Sequence, residues 1–490
     1  MLESIPQERT RVLVLIRTVP CARELWPIAE ALRDSGRYQC TILIGREVLA
    51  WEKIASNIIR QYAAAGFRVI DPSGKTLPSP ETDPQAPKQK LHGWLGRFAD
   101  SKVGRLFGIG FARDFRSTVR RLKMDQAAAK FLLVQESPEL LLMQEDDNLY
   151  LEAILTRIAR DAHIPTLMVP SVDNGQAPEA RMQTYWVIGR AASVNTRRFL
   201  NRIISTLFPR TVRMWEGRTM VRYPAPEALA IWWCGFMSED PWVPHRWVAK
   251  RAVLCRRAEE DIKKHQGFSS EQLVLTGQAA MDRAYEVMQS ADRHKQKIFA
   301  SLGLREDRKT VLFSVPPLVS HRLLSASQQL EFTEQTLQIL SDQPGTQTVL
   351  TLFRGADPAD YAVLAARYNA VVANSTDAKE LVALCDLFIC VRSSIIWTAI
   401  ACRKPTLALD FWFEGRVNFY ECPGVLVLKR REELTPILHR LLTDKEFYSL
   451  LVGQMKSAAP TWATCFDGRA TERTVDLIGQ TVDAARKGRL

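Results

Sequence analysis

Three observations predict an α/β protein of two lobes, each a parallel sheet flanked by helices. Short apolar runs alternate with amphipathic helical stretches along the chain, which is the pattern of βα units and of parallel sheets. The alternation breaks once, at a proline- and tryptophan-bearing transition between Pro241 and Gln272, and then resumes. The 490 residues suffice for two or three large cores. The expected division is residues 1–245 for a first Rossmann-like lobe, 246–468 for a second facing it across a cleft, and 469–490 for a helix crossing back to the first. No GxGxxG follows the first strand, so the dinucleotide fingerprint is absent.

Val12–Ile16 is expected as the first buried strand: five apolar residues ended by Arg17, far short of a signal h-region. Glu24–Arg33 reads as a helix stopped by Gly36, Cys40–Ile44 as a strand, Glu47–Ala65 as one helix stopped by Gly66, and Phe67–Asp71 as a third strand. Pro72–Pro87 holds five prolines in sixteen residues and reads as a mobile loop. In Leu91–Lys130, Phe107, Phe111, Phe115, Val119 and Leu122 fall at helical spacing with Arg113, Arg116, Arg120 and Lys123 off that face, a basic amphipathic helix. Strand Leu140–Met143 runs into Glu145, Asp146 and Asp147, helix Leu149–Asp161 follows, and strand Pro165–Val169 runs into Asp173-Asn174-Gly175. Two acidic clusters are therefore expected at the carboxyl edge of the first sheet. Thr196–Arg222 is a second basic amphipathic stretch, with seven arginines against one glutamate, and Ala228–Cys234 reads as a strand.

The second series is expected to supply strands Val253–Cys255, Leu273–Thr276, Val311–Ser314, Val349–Phe353, Val371–Ala373, Leu387–Val391, Thr406–Leu409 and Val425–Leu428. Its centre is Asp386–Asp410, a strand–helix–strand unit. Such crossovers join parallel strands, so Ser393, Ser394 and Asp410 should share the carboxyl edge, where ligands bind open α/β sheets. The two serines are good N-caps, and the first turn behind them has backbone N–H groups suited to a phosphate. Caps of a buried helix would use the same residues.

The 66 Lys+Arg against 54 Asp+Glu give a net charge of +12, which suits anionic partners: nucleotide phosphates, anionic lipid or nucleic acid. The basic stretches carry no RNA- or DNA-binding motif, so nucleic acid is not an expected partner. Nine cysteines without a CxxC pair or a Cys/His cluster argue for reduced thiols, a cytosolic compartment and no metal centre. No window approaches the roughly 18 apolar residues of a membrane span, yet the two basic amphipathic stretches suit the anionic inner face of a membrane.

The C-terminal half resembles the GT-B glycosyltransferases related to UDP-N-acetylglucosamine 2-epimerases, CDP-glycerol glycerophosphotransferases and capsule-polymer enzymes. The matching pieces, over about 200 residues in the expected order, are Val274–Gln278 with Met281-Asp282, Lys309–Ser314, Arg392-Ser393-Ser394 with Lys404-Pro405, and Asp467–Ala470 with Glu472-Arg473. The resemblance implies a donor-nucleotide site at Thr276, Gly277, Ser314, Ser393 and Ser394; Asp410, at the same carboxyl edge, and His321, soon after the Val311–Ser314 strand, are expected to join it. It implies no cofactor, only a UDP-, CMP- or CDP-linked sugar as substrate. Where CDP-glycerol-type relatives carry His-Pro, this chain has Arg354, a guanidinium able to clamp a diphosphate; their first-domain His-Gly is replaced by Asn174-Gly175. The base that takes the acceptor proton is therefore sought among Glu145, Asp146 and Asp173, whose other use is helix capping. His245 and His321 are secondary candidates near the cleft. The expected activity is sugar transfer from a nucleotide donor to a surface glycan or lipid-linked acceptor. CDP-alcohol phosphotransfer, nucleotide-sugar 2-epimerisation and a non-catalytic binding scaffold are the alternatives.

Overall fold

The computed structural model describes residues 9–50, 52–77, 109–144, 149–170, 175–178, 182, 185, 191–193, 198–215, 217–319, 323–353, 356–373, 377–412 and 417–489. Most of the Pro72–Pro87 loop and Phe107 lie outside them.

The first sheet begins with β1 (Thr10–Ile16), β2 (Tyr38–Ile44), β3 (Arg68–Ile70), β4 (Leu140–Met143) and β5 (Thr166–Met168). Alternate side chains of β1 feed two cores, as the two-residue period of a strand requires. Val12, Val14 and Ile16 pack with Leu25 and Ile28 of the Val19–Asp34 helix, while Leu13 and Leu15 join a core with Leu122 and Leu132 of the Ile109–Glu136 helix. A small antiparallel sheet of β6 (Ala192–Ser193), β7 (Val212–Trp215) and β8 (Arg218–Val221) follows, so the second basic stretch is a helix, Arg198–Leu207, and a hairpin.

Strands β9 (Lys250–Val253) and β10 (Leu273–Leu275) correct the expected lobe boundary. They add to the first sheet, with Leu167 opposite Lys250 and Leu273 opposite Arg251, completing the parallel order β3-β2-β1-β4-β5-β9-β10. The edge of β5 is left open by its own βα unit, and the chain fills it before departing. Arg251, buried, donates to Gln266 Oε1 at 2.6 Å and so fixes the Arg256–Gln266 helix against this sheet. The first lobe therefore runs to Leu275, past the 245/246 boundary.

The second sheet has six parallel strands in the order β13-β12-β11-β14-β15-β16. They are β11 (Lys309–Ser314), β12 (Thr346–Thr351), β13 (Ala370–Val372), β14 (Leu387–Cys390), β15 (Thr406–Leu409) and β16 (Val425–Leu428). Both sheets have the doubly wound order, reversing direction once, between β1 and β4 and between β11 and β14.

Two other expectations fail locally. The expected strand Ala228–Cys234 is the end of a helix, Ala225–Trp233, with Cys234 as its C-cap; the helix start carries Pro226 in the first turn, where proline costs no hydrogen bond. The single helix over Glu47–Ala65 is two, Arg46–Leu49 and Glu52–Ala64.

The terminal helix, Ala470–Arg486, returns to the first lobe as expected. Asp282 accepts from the N–H groups of Ala470 at 3.0 Å and Thr471 at 2.7 Å, capping its positive end. Val475, Ile478 and Val482 enter the core of β1, and Arg486 binds Glu139 at 2.5 Å.

Candidate functional site

The carboxyl edges of the two sheets face each other, because segments leaving the strands of one meet segments leaving the other. Glu24, on the helix after β1, accepts from Lys379 Nζ at 2.5 Å, on the helix after β13, and from Gln278 Nε2 at 2.6 Å. Arg257, on the helix after β9, pairs with Glu421 at 2.6 Å and with Asp261 at 3.0 Å. Asn418 Nδ2, in the turn that follows β15, donates to the same Asp261 at 2.9 Å. Gly175 comes down on that helix at φ +88°, and a Cβ there would lie 2.6 Å from Asp261 Cβ.

The second-lobe crevice lies where the strand order reverses. Ser314 stands opposite Cys390 in the β11–β14 register, and Ser393 and Ser394 come three and four residues beyond Cys390. Arg392 turns the chain there at φ +44°, a left-handed conformation uncommon for a side-chain-bearing residue and concentrated at functional sites. The serines do not cap the helix, which spans only Ile396–Ala401 with Ile395 at its N-cap and no side chain capping it; they form the turn before it, and that turn uses up the first amides. Ile396 N–H donates to Ser393 O at 3.1 Å, Trp397 N–H to Ser394 O at 3.2 Å and Ile395 N–H to Ser393 Oγ at 3.4 Å. The phosphate-holding N–H groups expected at this turn are thus spent on the turn itself. Beside it, Asp410 is buried at the end of β15. Burial, then Cys390 and Asp410, push the Tyr420 hydroxyl well up, and Arg392 opposes the shift. A guanidinium, a carboxylate, a phenol and two serines therefore converge at one edge. His321 and Arg354 lie outside the described residues; the strands before them, β11 and β12, end at this edge.

Thr276 and Gly277 are placed elsewhere, at the end of β10 on the far edge of the first sheet. Arg473 Nε donates to Thr276 O at 2.8 Å, and a Cβ on Gly277, which has φ +83°, would lie 2.9 Å from both Ala470 Cβ and Cys465 O. The adjoining cavity is about 10 Å³. This turn is a packed junction where the terminal helix crosses, with no room for a nucleotide.

In the first lobe the reversal lies between β1 and β4. Glu145, Asp146 and Asp173 are outside the described residues, but Gln144 Nε2 donates to Pro170 O at 3.0 Å and ties together the ends of the strands that lead to them. The carboxylate that is described here is Glu152, in the first turn of the Leu151–Asp161 helix and 4% exposed. Gly45, at the end of β2, makes room for it: a Cβ there would lie 2.7 Å from Glu152 Oε1. Glu152 Oε2 is buried with no hydrogen-bond partner. Burial, then the neighbouring charge of Glu47, raise its pKa to about 7, and Arg17, set over the Tyr150 ring at 5.4 Å, works against them. In the sequence Glu152 reads as an ordinary first-turn acid favoured by the helix dipole, and nothing marks it as buried.

His245 is buried and stacked on Trp247 at 4.3 Å, a packing role. Among the described residues no group of three His, Cys, Asp or Glu side chains is placed to hold a metal ion.

Two doubly wound lobes facing across a cleft, with a terminal helix returning to the first, constitute the GT-B fold. The chain is similar along almost its whole length to a UDP-GlcNAc 2-epimerase from Neisseria meningitidis bound to UDP-GlcNAc, with 10% identity, TM-score 0.51, and 96% of this chain and 99% of that one covered. It is likewise similar to the wall teichoic acid polymerase TagF, with 10% identity, TM-score 0.54, and 97% and 89% covered. A third match is a UDP complex of MnaA from S. aureus, with 13% identity, TM-score 0.51, and 97% of each chain covered. The resemblance read from the ordered motifs thus holds at the level of fold. No protein-family model and no curated protein sequence matches the chain.

Proposed function

We propose that the protein is a glycosyltransferase that binds a UDP-, CMP- or CDP-linked sugar in the second-lobe crevice and passes the sugar to a glycan or lipid-linked acceptor at the first lobe, on the inner face of a membrane. Glu152 carries this reading. A buried carboxyl with a pKa near 7 and a vacant oxygen, at the switch point of the acceptor-side sheet, suits a proton acceptor working at neutral pH. In the reaction the acceptor oxygen bonds to the anomeric carbon, and the bond from that carbon to the donor's phosphate oxygen breaks. The acceptor proton goes to the base and the nucleotide leaves, UDP or CDP from a diphosphate-linked donor and CMP from a CMP-linked one. Arg392, with Arg354, is assigned to the charge on the leaving phosphate or diphosphate, Ser314, Ser393 and Ser394 to its polar contacts, and Glu152 to the proton, with Glu145, Asp146 and Asp173 as the other candidates. Similar solved structures bound to UDP-GlcNAc and UDP support the donor class.

A second reading, sugar epimerisation, is favoured by the UDP-GlcNAc 2-epimerase among the matches. The test is thermal shift against a panel of nucleotide sugars, where a ligand at about 100 times its Kd adds roughly 2.7 kcal/mol of stability. Assays of the stabilising donor with and without glycan and lipid-linked acceptors follow. Acceptor-dependent release of nucleotide supports transfer. Acceptor-independent change of the sugar supports epimerisation, and binding without either supports a scaffold. No stabilisation by any donor would defeat the proposal.

A further inference from the structure

The Ile109–Glu136 helix packs Leu122, Ala129 and Leu132 into the first lobe. Its opposite side presents Arg116, Arg120, Lys123 and Met124 to solvent, spaced four, three and one residues apart, which is one stripe of a helix. Met124 is 50% exposed. The Ala225–Trp233 helix lies between this helix and the Arg198–Leu207 helix, and its last turn exposes Trp232 at 55% and Trp233 at 66%. The next residue, Cys234, sits beside Lys123, and the Trp232 ring is 6.2 Å from that of Phe208. Leu207, at the end of the third helix, is 59% exposed. Cations and large apolar side chains thus share one face, whereas a solvated helix face keeps its apolar residues inward.

We propose that this three-helix face is a docking surface for an anionic lipid bilayer, with Trp232 and Trp233 as the interfacial anchors. It rests on the transferase reading only in making the docked bilayer the place where a lipid-linked acceptor is met. Charge complementarity selects the occupant. Arg116, Arg120 and Lys123 form no salt bridge among the described residues, so their charge is available to lipid phosphates. A second copy of the chain is disfavoured, because a two-fold interface would set the three cations against themselves. Trp232 and Trp233 would also stack on bases, so single-stranded nucleic acid is kept as an outcome of the test; Met124 and Leu207 add aliphatic surface that an acyl boundary takes up and a base does not.

The test is flotation of the full chain with phosphatidylglycerol/phosphatidylcholine vesicles and with phosphatidylcholine alone, at low and high salt. Expected are binding to the anionic vesicles, at least tenfold less to the neutral ones, and release as salt rises. With roughly a fivefold contribution from each cation, Arg116→Glu/Arg120→Glu/Lys123→Glu should bind at least a hundredfold more weakly, and Trp232→Ser/Trp233→Ser at least tenfold. Both variants change exposed positions and should keep the melting temperature and nucleotide-sugar shift of the parent. Failure here with that shift retained would therefore leave the transferase reading intact. The proposal is overturned if the chain ignores anionic vesicles at low salt, if either variant floats like the parent, or if the same substitutions instead abolish self-association or binding to single-stranded nucleic acid.

Discussion

Replacing Glu152 with glutamine tests the buried carboxyl directly, since the shape is kept and only the charge is lost. In the unfolded chain this carboxyl titrates near 4.5, and in the fold near 7, because burial and Glu47 outweigh Arg17. That difference corresponds to roughly 3 kcal/mol. The folded state holds the proton more tightly than the unfolded one, so the contribution is fully present below about pH 4.5 and lost as pH rises through 7. Glu152→Gln never pays that charging cost. Denaturant unfolding of both proteins from pH 4 to 9 should therefore give nearly equal stabilities at pH 4, and an advantage for the variant that grows to about 3 kcal/mol by pH 9. In the proposed reaction the same substitution should cut kcat by about 10²–10⁴ with donor affinity retained, and remove the limb of the pH–rate profile that rises through 7. A stability difference that does not change with pH would mean that Glu152 is charged and solvated in the fold, and the argument for it as a base would fall with it.

Three further substitutions separate the donor crevice from the junction. Arg392→Ala removes a guanidinium from the crevice and should weaken donor binding by one to two orders of magnitude in calorimetry, as loss of a charge-assisted hydrogen bond of roughly 1.5–3 kcal/mol requires; unchanged affinity would remove Arg392 from the site. Gly277→Ala sets a methyl group 2.9 Å from Ala470 Cβ and Cys465 O at a left-handed φ, and should destabilise the protein by about 1–3 kcal/mol without altering donor affinity. A variant of normal stability that has lost its donor would restore Gly277 to the ligand site. Asp282→Ala leaves two N–H groups of the terminal helix uncapped, with an expected loss of about 1 kcal/mol and faster amide exchange at Ala470 and Thr471; protection equal to the parent would show the cap to be idle.

The strands of both sheets were legible because strands covered on both faces must be apolar throughout, as in Val12–Ile16, Leu140–Met143 and Leu387–Val391. Which sheet a strand joins was not. Lys250–Val253 and Leu273–Leu275 have the same local signal wherever they pair, and only the open edge of β5 decides. The Ala225–Trp233 helix escaped because its residues are apolar nearly all round. One side is buried on the long helix and the other ends in two exposed tryptophans, so the 3.6-residue period is erased. Pro224-Ala-Pro226-Glu227 was the available signal, a helix-start composition.

The site divides along the same line. Ser393, Ser394 and Asp410 were legible as one edge because βαβ crossovers join parallel strands and so fix where strand ends go, and Ser314 entered through the resemblance. Thr276-Gly277 carried an equally good local signature, a glycine turn after a strand, and the structure gives it another use. A close approach of backbone to backbone and a close approach of backbone to phosphate both demand a residue without Cβ, so the sequence cannot separate them. The neighbours can. At Gly277 the atoms within 3.1 Å of a would-be Cβ belong to Cys465 and Ala470, the segment that carries the chain back to the first lobe. At Gly45 the atom nearest such a Cβ is a buried carboxylate oxygen of Glu152. Chain packs against the first glycine and a buried carboxyl against the second, so the glycine beside the proposed base is the one that no motif marked.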